Sequence, residues 1–578
     1  MSEIAINTVL NVKKAIENAI SLISEKSFQG EKCADFVVSM PADKAHGDLA
    51  SNAAMTNARV FKRPPLILAK AIIENIDLSQ TPVSHCEIAG KGFINFFFSP
   101  QYYADILNEI LQKQENYGKS DFGGSRKVMV EFVSANPTGP MHMGNARGGA
   151  LGDCLAAVME SAGYDVWREF YLNDAGNQIE KFGSSLEARY LQIYLGGQVV
   201  FPEDGYQGSD ITEHAKNYAE QFGDVLVKAS EEERKRILIE FSLPKNIQKM
   251  QADMDIYKIH FDKWFYESWL HDQGKVKEAI EILKKKGLTY EKDGAVWYKN
   301  AEVLKTYLLE TGKSETEIAD LNLKDDVLVR QNGNPTYFAA DIAYHKNKFD
   351  RGCGTLIDIW GADHHGHVMR LKGAIRAIDY PDERFHVILM QMVRLISGGE
   401  VVKMSKRTGK AIQLCDLLSE VPVDSARFLF NTKEANTQMD FDLDLAIQTD
   451  NQNPVYYVQY AHARICSIIK NIEESGISVK HCTNNELLLL TEPEERDLIT
   501  HLGAYTGEII SAACELDPTK ITRYVTHLST LFHKFYNSCR VKVEREALLQ
   551  ARVNLCLAVK IVIKNILTMF KISCPDMM

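Results

Sequence analysis

The alternation of apolar and polar residues predicts an α+β arrangement at the start of the chain. Apolar residues recur at helical spacing between Ile6 and Ile20, and a β-like run follows at Gly92–Ser99. Over residues 1–115 the pattern is therefore that of a small α+β domain. Gly118–Gly124, in which serine and aspartate stand between glycines, is typical of a linker to the next domain.

The next segment has the order strand, tight loop, helix, strand. Lys127–Val133 is β-branched and apolar, as in a buried strand, and the loop Ser134–Gly139 ends it. A helical pattern runs from near Gly144 to about Ala162, and Val166–Leu172 has the pattern of a second strand. This order predicts a βαβ unit with parallel strands.

Residues from about 180 to 325 are mostly charged helical segments. We interpret them as an insertion within the α/β domain, because strand patterns resume only afterwards. From Ile447 the pattern is helical to the last residue, which predicts a C-terminal all-α domain. The strand patterns that follow the insertion are Val327–Arg330, Pro335–Ala339, Thr355–Trp360 and His386–Gln391.

Charge is unevenly distributed along the chain. The formal net charge is −11, but the segment from Lys520 to Met578 contains ten Lys or Arg and three acidic residues, hence +7. A basic tail on an acidic body is typical of a protein that binds a polyanion at one end. A solvated helix surface has the same composition, and composition alone does not separate the two interpretations.

The cysteines and the apolar runs indicate the compartment. The chain has 11 cysteines and no C-x-x-C spacing, which argues against a disulfide framework and against a structural zinc site held by cysteines. No apolar run reaches the roughly 18 residues of a membrane-spanning helix. We therefore expect a cytoplasmic protein with no membrane partner and no structural zinc.

The loop Pro137–Asn145, with the sequence PTGPMHMGN, has features of a phosphate site. Gly139 and Gly144 let the backbone approach a ligand closely, and the helix that follows presents free N–H groups and a positive dipole end. His142 adds a hydrogen-bond donor. These features favour the phosphates of a nucleotide, although a loop histidine with a satisfied hydrogen bond fits the same short sequence.

Lys403–Lys410, with the sequence KMSKRTGK, is a second candidate for phosphate binding. Four cationic side chains and a hydroxyl on a glycine-flanked loop suit a mobile clamp on a polyphosphate. Charge runs of this kind are usually solvated surface. The occurrence of this run and of the first loop in one α/β domain favours the functional interpretation.

HMGN followed much later by KMSKR resembles the two signature sequences of the class I aminoacyl-tRNA synthetases. The usual first signature ends in histidine, H-x-G-H. Asn145 takes that place here, and asparagine can donate to a phosphate oxygen but cannot become cationic. Further segments resemble the arginyl member of the class in particular and cover almost the whole chain in the family's order. They are Val130–Asp153, Tyr171–Ile179, Tyr337–His345, Gly361–His367, Pro454–Ile465 and Phe532–Val541.

The resemblance implies a multidomain α/β fold. Its parts are an N-terminal α+β domain that contacts tRNA (1–115), a Rossmann-like parallel-sheet catalytic domain with the helical insertion (116–446), and a C-terminal all-α anticodon-binding domain (447–578). The implied activity is ATP-dependent ligation of L-arginine to tRNA(Arg) through an arginyl-adenylate, with Mg²⁺ accompanying the ATP. In this family arginine activation depends on tRNA. A single-chain monomer is the default expectation.

The same resemblance assigns roles to individual residues. The catalytic residues it implies are His142, Asn145, Lys403 and Lys406. The implied ATP-binding residues are Pro137, Gly139, His142, Gly144, Asn145, Gly361, Asp363, His364, His367, Lys403, Met404, Ser405 and Lys406. The implied arginine-binding residues are Glu131, Asn136, Tyr337, Asp341 and Asp363, and the implied tRNA-binding residues are Tyr457, Tyr460, Tyr536 and Arg540.

Some of these assignments have an alternative. His364, His365 and His367 could be zinc ligands, but no fourth ligand stands at a suitable spacing. Asp341 also fits a helix cap or a surface acid. Aromatic residues at helical spacing in the tail also fit a helical core. We expect the core for Phe535, and for each single tyrosine both interpretations stay open.

Three other classes of protein share parts of this pattern. A cysteinyl-tRNA synthetase needs zinc bound through cysteines, and none are suitably arranged. A small-molecule nucleotidylyltransferase shares the H-x-G-H type of loop but needs neither a basic helical tail nor an N-terminal α+β module. A non-catalytic tRNA-binding paralogue is disfavoured by the presence of His142, Lys403 and Lys406.

Overall fold

The computed structural model describes residues 3–27, 32–41, 43–402 and 412–578. The chain forms two compact units. The first contains residues 1–120, 450–516 and 520–578, and the second contains residues 121–449 with 517–519. The boundary between residues 120 and 121 falls inside the predicted linker.

The N-terminal part of the first unit is the α+β arrangement that its sequence predicts. Its elements are α1 (Glu3–Ser27), β1 (Val38–Ser39), β2 (Leu49–Ser51), α2 (Ala53–Asn57), α3 (Pro65–Asn75), β3 (Val83–Ala89), β4 (Phe93–Phe98) and α4 (Pro100–Lys113). Val12, Ile16 and Ile20 form one buried face of α1. The strands pair antiparallel in the order β1-β2-β4-β3.

The second unit is built on a parallel sheet. Its first elements are β5 (Lys127–Glu131), α5 (Met143–Ser161), β6 (Asp165–Leu172), α6 (Asn177–Leu195), α7 (Ser209–Phe222), α8 (Glu231–Ile256) and β7 (Lys263–Tyr266). β5, α5 and β6 confirm the predicted βαβ unit. Glycine lets α5 lie close to its neighbours, since a Cβ on Gly152 would stand 2.2 Å from the Phe132 ring.

Strands also occur where the sequence predicted a helical insertion. β7 pairs in parallel with β6 and is an edge strand of the main sheet. A further sheet of three antiparallel strands has the order β10-β9-β8. The elements are α9 (Glu267–Asp272), α10 (Lys275–Lys285), β8 (Thr289–Lys292), β9 (Ala295–Tyr298), α11 (Asn300–Glu310), α12 (Glu315–Ala319) and β10 (Asp326–Val329).

The expectation that strand patterns resume only after about residue 325 is therefore wrong. The region 180–325 is not one helical insertion, because β7 belongs to the main sheet. β7, β8 and β9 have four residues each and are only partly buried. Such strands lack the continuous apolar run or the long alternation by which the other strands are recognised.

The segment Pro335–Ala339, predicted as a strand, begins a helix instead. α13 (Tyr337–Asp350) starts there, because the Thr336 hydroxyl accepts from the Ala339 N–H and caps the helix. A short apolar run does not by itself distinguish strand from helix. The next elements are β11 (Thr355–Gly361), α14 (His365–Ala377) and β12 (Phe385–Met390), which confirm the last two predicted strands.

The main sheet has five parallel strands in the order β12-β11-β5-β6-β7. Glu131, at the carboxyl end of β5, stands opposite Asp358 in the middle of β11. Ligands of parallel α/β sheets bind at the carboxyl edge. The remaining elements of the unit are β13 (Val393–Ser397), β14 (Glu400–Val402), α15 (Leu414–Glu420), α16 (Val423–Phe430), β15 (Met439–Asp442) and α17 (Leu443–Ile447).

The C-terminal part of the first unit is helical, as predicted. Its helices are α18 (Pro454–Glu474), α19 (Asn484–Leu487), α20 (Pro493–Glu515), α21 (Thr519–Ser538) and α22 (Glu546–Met569). They bond to the N-terminal part: the Tyr117 hydroxyl donates to the Leu502 carbonyl (2.9 Å), and the Asn565 amide donates to the Tyr117 carbonyl (3.1 Å). Phe535 is fully buried, as expected. Within the described ranges, no helix combines the length and apolarity needed to cross a membrane.

His501 is a titratable group held inside these helices. Its Nε2 donates to the Tyr524 carbonyl (3.1 Å), and its ring stacks on the Tyr524 ring with 4.2 Å between centroids. The His527 ring meets it edge-on. Burial, assisted by His527, lowers the pKa of His501 to about 4. The folded chain therefore holds this imidazole neutral at mildly acidic pH.

We expect the first unit to lose stability between pH 7 and pH 5. The unfolded imidazole, with a pKa near 6.5, binds a proton that the folded one does not, so the stabilisation is full above pH 6.5 and is lost as pH falls towards 4. This group alone should cost about 2 kcal/mol by pH 5, measured by urea unfolding. His501→Gln, which keeps a donor and does not titrate, should lose about 2 kcal/mol less over that range. An equal loss in both proteins would contradict the prediction.

Candidate active site

One large cavity lies at the carboxyl edge of the parallel sheet. Its volume is about 1560 Å³, and its walls come from the ends of β5, β11 and β12, the loop after β5, and the first turns of α5 and α13. This is where a parallel sheet binds its ligand. The predicted site residues in its walls are Glu131, Asn136, Gly139, His142, Gly144, Asn145, Tyr337, Asp341, Gly361, Asp363, His364 and His367.

Other predicted nucleotide contacts lie elsewhere or are not described. Pro137 does not line the cavity; its carbonyl accepts from Asn246 Nδ2 (3.0 Å), and the Asn246 Oδ1 accepts from His214 Nε2 (2.7 Å). Helices α7 and α8 thus hold the loop after β5 in place. Lys403, Met404, Ser405 and Lys406 lie outside the described residues.

His142 and Asn145 form a reciprocal cap at the start of α5. His142 Nδ1 accepts from the Gly144 N–H (3.0 Å), and Asn145 Oδ1 accepts from the His142 N–H (3.0 Å). Because Nδ1 accepts, the proton of the neutral imidazole is on Nε2, which is therefore a donor. Burial lowers the pKa of His142, so the neutral form is favoured. The helix end thus offers hydrogen-bond donors to an anion.

Asp341 heads a chain of polar contacts along one wall. His367 Nε2 donates to Asp341 Oδ2 (2.8 Å), and Arg370 donates to His367 Nδ1 (3.2 Å) and to Asp326 Oδ1 (2.7 Å). An arginine can only donate, so His367 must accept at Nδ1 and carry its proton on Nε2. These hydrogen bonds therefore hold the Asp341 carboxylate in one orientation facing the cavity.

The floor of the cavity carries a buried ionic cluster that the sequence did not reveal. Lys348 Nζ donates to Glu131 Oε2 (2.5 Å) and to both oxygens of Asp358 (2.8 and 2.9 Å), and His345 Nε2 donates to Asp358 Oδ2 (2.9 Å). All four side chains are buried. A signal was present, since Asp341, His345 and Lys348 follow the i, i+4, i+7 spacing of one helix face.

Further cavity residues come from the segment Tyr171–Ile179, which resembles the family but to which the sequence assigns no role. Tyr171, Asn173 and Gln178 belong to the segment YLNDAGNQI and line the cavity. The Tyr171 hydroxyl donates to Glu267 Oε2 (2.8 Å), and the Tyr206 hydroxyl donates to the Gln178 side chain. This part of the wall is therefore polar and internally bonded.

The three tyrosines predicted to contact tRNA lie close together on α18 and α21, and Arg540 follows the end of α21. The Tyr457 and Tyr460 rings lie 5.1 and 6.1 Å from the His533 ring. The Arg464 guanidinium lies over the rings of Tyr460 and Tyr536. All three tyrosines are partly exposed, and Arg540 is exposed. The three tyrosines therefore form one aromatic cluster with His533 and Arg464 that is half open to solvent.

One group of three potential metal ligands lies close together in the described part of the chain. His462 Nδ1, Cys466 Sγ and an Asp576 oxygen lie within 4.8 Å of one another. The His462 Nδ1 already donates to the Pro575 carbonyl (3.0 Å), and Lys560 Nζ lies 3.8 Å from Asp576. A committed nitrogen and a nearby cation both disfavour a metal ion.

Three protein families match successive parts of the chain. The family described as "Arginyl tRNA synthetase N terminal domain" matches residues 10–98. The family "tRNA synthetases class I (R), catalytic domain" matches residues 106–469, and the family "DALR anticodon binding domain" matches residues 458–578.

Curated relatives match over the full length. The arginine–tRNA ligase of Acetivibrio thermocellus is 49% identical over 99% of this chain and 100% of its own. That of Caldanaerobacter subterraneus subsp. tengcongensis is 50% identical with the same coverage. The arginyl-tRNA synthetase structure from Thermus thermophilus, 20% identical, covers 98% of this chain and 100% of its own with a TM-score of 0.71, which shows a shared fold. The chain therefore belongs to the arginyl-tRNA synthetases, a family of the class I aminoacyl-tRNA synthetases.

Proposed function

We propose that the chain uses ATP to join L-arginine to tRNA(Arg). In the first step the arginine carboxylate attacks the α-phosphorus of ATP and pyrophosphate leaves, which gives arginyl-adenylate. In the second step the 2′-hydroxyl of the last tRNA adenosine attacks the arginyl carbonyl carbon, and AMP leaves. Full-length identity of about one half with arginine–tRNA ligases supports both steps.

One observation carries the proposal: donors suited to phosphate and acids suited to a guanidinium line the same cavity. His142 and Asn145 stand at the start of α5, and Asp341 and Glu131 stand on α13 and β5. An anionic and a cationic substrate can thus be held side by side. Since the arginine carboxylate is already ionised, the first step needs no general base, only alignment and stabilisation of the leaving pyrophosphate.

The nucleotide would bind at the start of α5. The His142 Nε2–H and the first N–H groups of the helix would donate to phosphate oxygens. Asn145 Oδ1 already caps the helix, so its Nδ2 is the group that would reach a phosphate. Further contacts assigned to ATP are Pro137, Gly139, Gly144, Gly361, Asp363, His364, His367, Lys403, Met404, Ser405 and Lys406.

Magnesium would enter with the ATP and neutralise part of the phosphate charge. The donors described around His142 are N–H groups and an imidazole, which do not bind Mg²⁺. Asp363, with a largely exposed side chain, is the acid assigned to that end. The ion is therefore expected on the phosphates, with few protein ligands. No structural zinc is invoked.

The arginine side chain would bind along α13. Asp341 would pair with the guanidinium, Tyr337 one turn earlier would cover it, and Glu131 would add a second carboxylate. Asn136 would bind the amino or carboxylate end, assisted by Asp363. Both His367 nitrogens are engaged by Asp341 and Arg370, so we assign this histidine to the orientation of Asp341, and any nucleotide contact would use its ring face.

The tRNA anticodon would bind the C-terminal helices through Tyr457, Tyr460, Tyr536 and Arg540. Unpaired bases stack on aromatic rings, and a guanidinium nearby neutralises the backbone. The half-exposed rings around Arg464 suit such stacking. We expect the chain to act as a monomer in the cytoplasm, with domains at 1–115, 116–446 and 447–578.

ATP–pyrophosphate exchange tests the proposed function. Exchange should occur with arginine and tRNA(Arg) together, and not with any other amino acid. Exchange with cysteine, or with a small nucleotide acceptor in the absence of an amino acid, would favour one of the alternative enzyme classes. Complete absence of exchange with intact tRNA binding would indicate a non-catalytic paralogue.

Asp341→Asn should raise the KM for arginine by about 10- to 100-fold, the cost of losing a charge-assisted hydrogen bond. The KM for ATP should stay within about twofold, because Asp341 lies on the arginine side. Asp350→Asn is the matched control, since Asp350 is exposed at the far end of the same helix and pairs with Lys346. Equal effects on both substrates would remove Asp341 from the arginine pocket.

Lys406→Ala should slow pyrophosphate exchange on the order of 100-fold, because the leaving group would lose a cation. The Kd for tRNA(Arg), measured by filter binding, should remain near the unmodified value. Lys433→Ala, an exposed lysine elsewhere in the second unit, should change neither quantity. A large loss of tRNA affinity in Lys406→Ala would make the KMSKR segment an RNA contact instead.

A further inference from the structure

Lys348 is a fully buried lysine that none of the proposed steps uses. Its side chain has no exposed surface, and it does not line the cavity, whereas Glu131, Asp358 and His345 do. The ammonium therefore lies behind these groups, on the side away from the substrate. A buried ammonium is costly unless every donor finds an acceptor. Here its contacts are Glu131 Oε2 and both Asp358 oxygens.

Glu131 is held through both of its oxygens. Oε2 accepts from Lys348, and Oε1 accepts from the Ser134 hydroxyl (2.8 Å). A carboxylate has about four acceptor positions, so each oxygen retains one for a further donor. The carboxylate plane is thus fixed from behind, and a guanidinium or ammonium in front of it can still be bonded.

We propose that Lys348 is a positioning residue for the arginine site, holding Glu131 ionised and oriented towards the substrate. The inference rests on the proposed function and adds the group that makes Glu131 usable as an acceptor. Without a cation behind it, burial would raise the pKa of this carboxyl further and favour its protonated form. A protonated Glu131 would offer the cationic substrate a neutral partner.

The charged and titratable groups around Glu131 come from three elements. Lys348, His345 and Tyr344 lie on α13, Asp358 on β11, and Tyr171 and Glu169 on β6. Burial raises the pKa of Glu131, and the Lys348 ammonium opposes that rise. Burial also acts on Asp358, but Lys348 and His345 together hold its pKa below the usual value.

Two carboxylates in turn keep the buried lysine charged. Burial would lower the pKa of Lys348, but Asp358 and Glu131 raise it above its usual value. Asp358 therefore keeps the ammonium charged, and the ammonium keeps Glu131 charged. Removal of Lys348 alone would leave Glu131 without a cation and Asp358 with only His345, so a test has to remove one positive and one negative charge together.

The test compares the unmodified enzyme with the charge-balanced double variant Lys348→Met/Asp358→Asn. Arginine- and tRNA-dependent pyrophosphate exchange is measured from pH 6.5 to 8.5. The KM for arginine of the unmodified enzyme should vary less than about twofold over this range. In the double variant it should be at least about tenfold higher at pH 6.5 and fall as pH rises, because without Lys348 the ionised fraction of Glu131 grows with pH. The KM for ATP should stay within about twofold.

Adding Glu131→Gln to the double variant is the matched control. The pH dependence should disappear while the KM for arginine stays high, since glutamine does not titrate. A thermal unfolding midpoint at each pH separates these effects from loss of the fold. An arginine KM in the double variant that is unchanged, or raised by one constant factor at every pH, would overturn the inference.

Measurements on the unmodified enzyme keep the inference testable even if the double variant fails to fold. A KM for arginine that falls steeply between pH 6.5 and 8.5 in the unmodified enzyme would mean that Lys348 does not keep Glu131 ionised. Absence of any arginine-dependent exchange would refute the proposed function itself. Normal exchange by the unmodified enzyme, together with an unchanged KM for arginine in the double variant, would refute only the role of Lys348.

Discussion

The burial of α5 on every side is the constraint on which the second unit depends. All residues from Asn145 to Met159 are buried, and many are alanine or glycine. Two buried guanidiniums hold the helix in addition: Arg427 pairs with Asp153 (2.5 Å), and Arg147 donates to the carbonyls of Gln391 and Glu434 (2.8 Å each). A close-packed helix cannot shift without a cavity or a clash. Its first turn, and the donors on it, are therefore fixed relative to the sheet.

Much of the fold could be predicted because its main elements have strong local patterns. β5 and β11 are buried and mostly apolar, β12 is a mostly apolar run, and α5 lies between clear loop signals. The two wrong predictions, at β7 and at Pro335–Ala339, also have local causes. β7 has four residues with a partly polar surface, and at Pro335–Ala339 the cap supplied by Thr336 overrides an apolar run of strand-like composition.

The site was less predictable because its interactions join residues far apart in sequence. His142 and Asp341 were each recognisable from a local motif, and the cavity between them follows from the parallel order of β5 and β11. The spacing of Asp341, His345 and Lys348 indicates one helix face, but the partners of Lys348 and of Arg147 lie on other segments and cannot be predicted from that spacing. A buried cation is recognised only once its partners are known. The KMSKR segment remains a sequence-based prediction.

The first unit is assembled from both ends of the chain, and this affects how the protein is made. The Tyr117 hydroxyl donates to a carbonyl on α20, and its carbonyl accepts from Asn565 on α22. Residues near 117 therefore bond to partners that are synthesised roughly 400 residues later. During translation the ribosome therefore releases an N-terminal segment with an incomplete core, while the parallel-sheet unit between can already fold. Truncation of α22 would consequently destabilise the N-terminal part of the polypeptide as well.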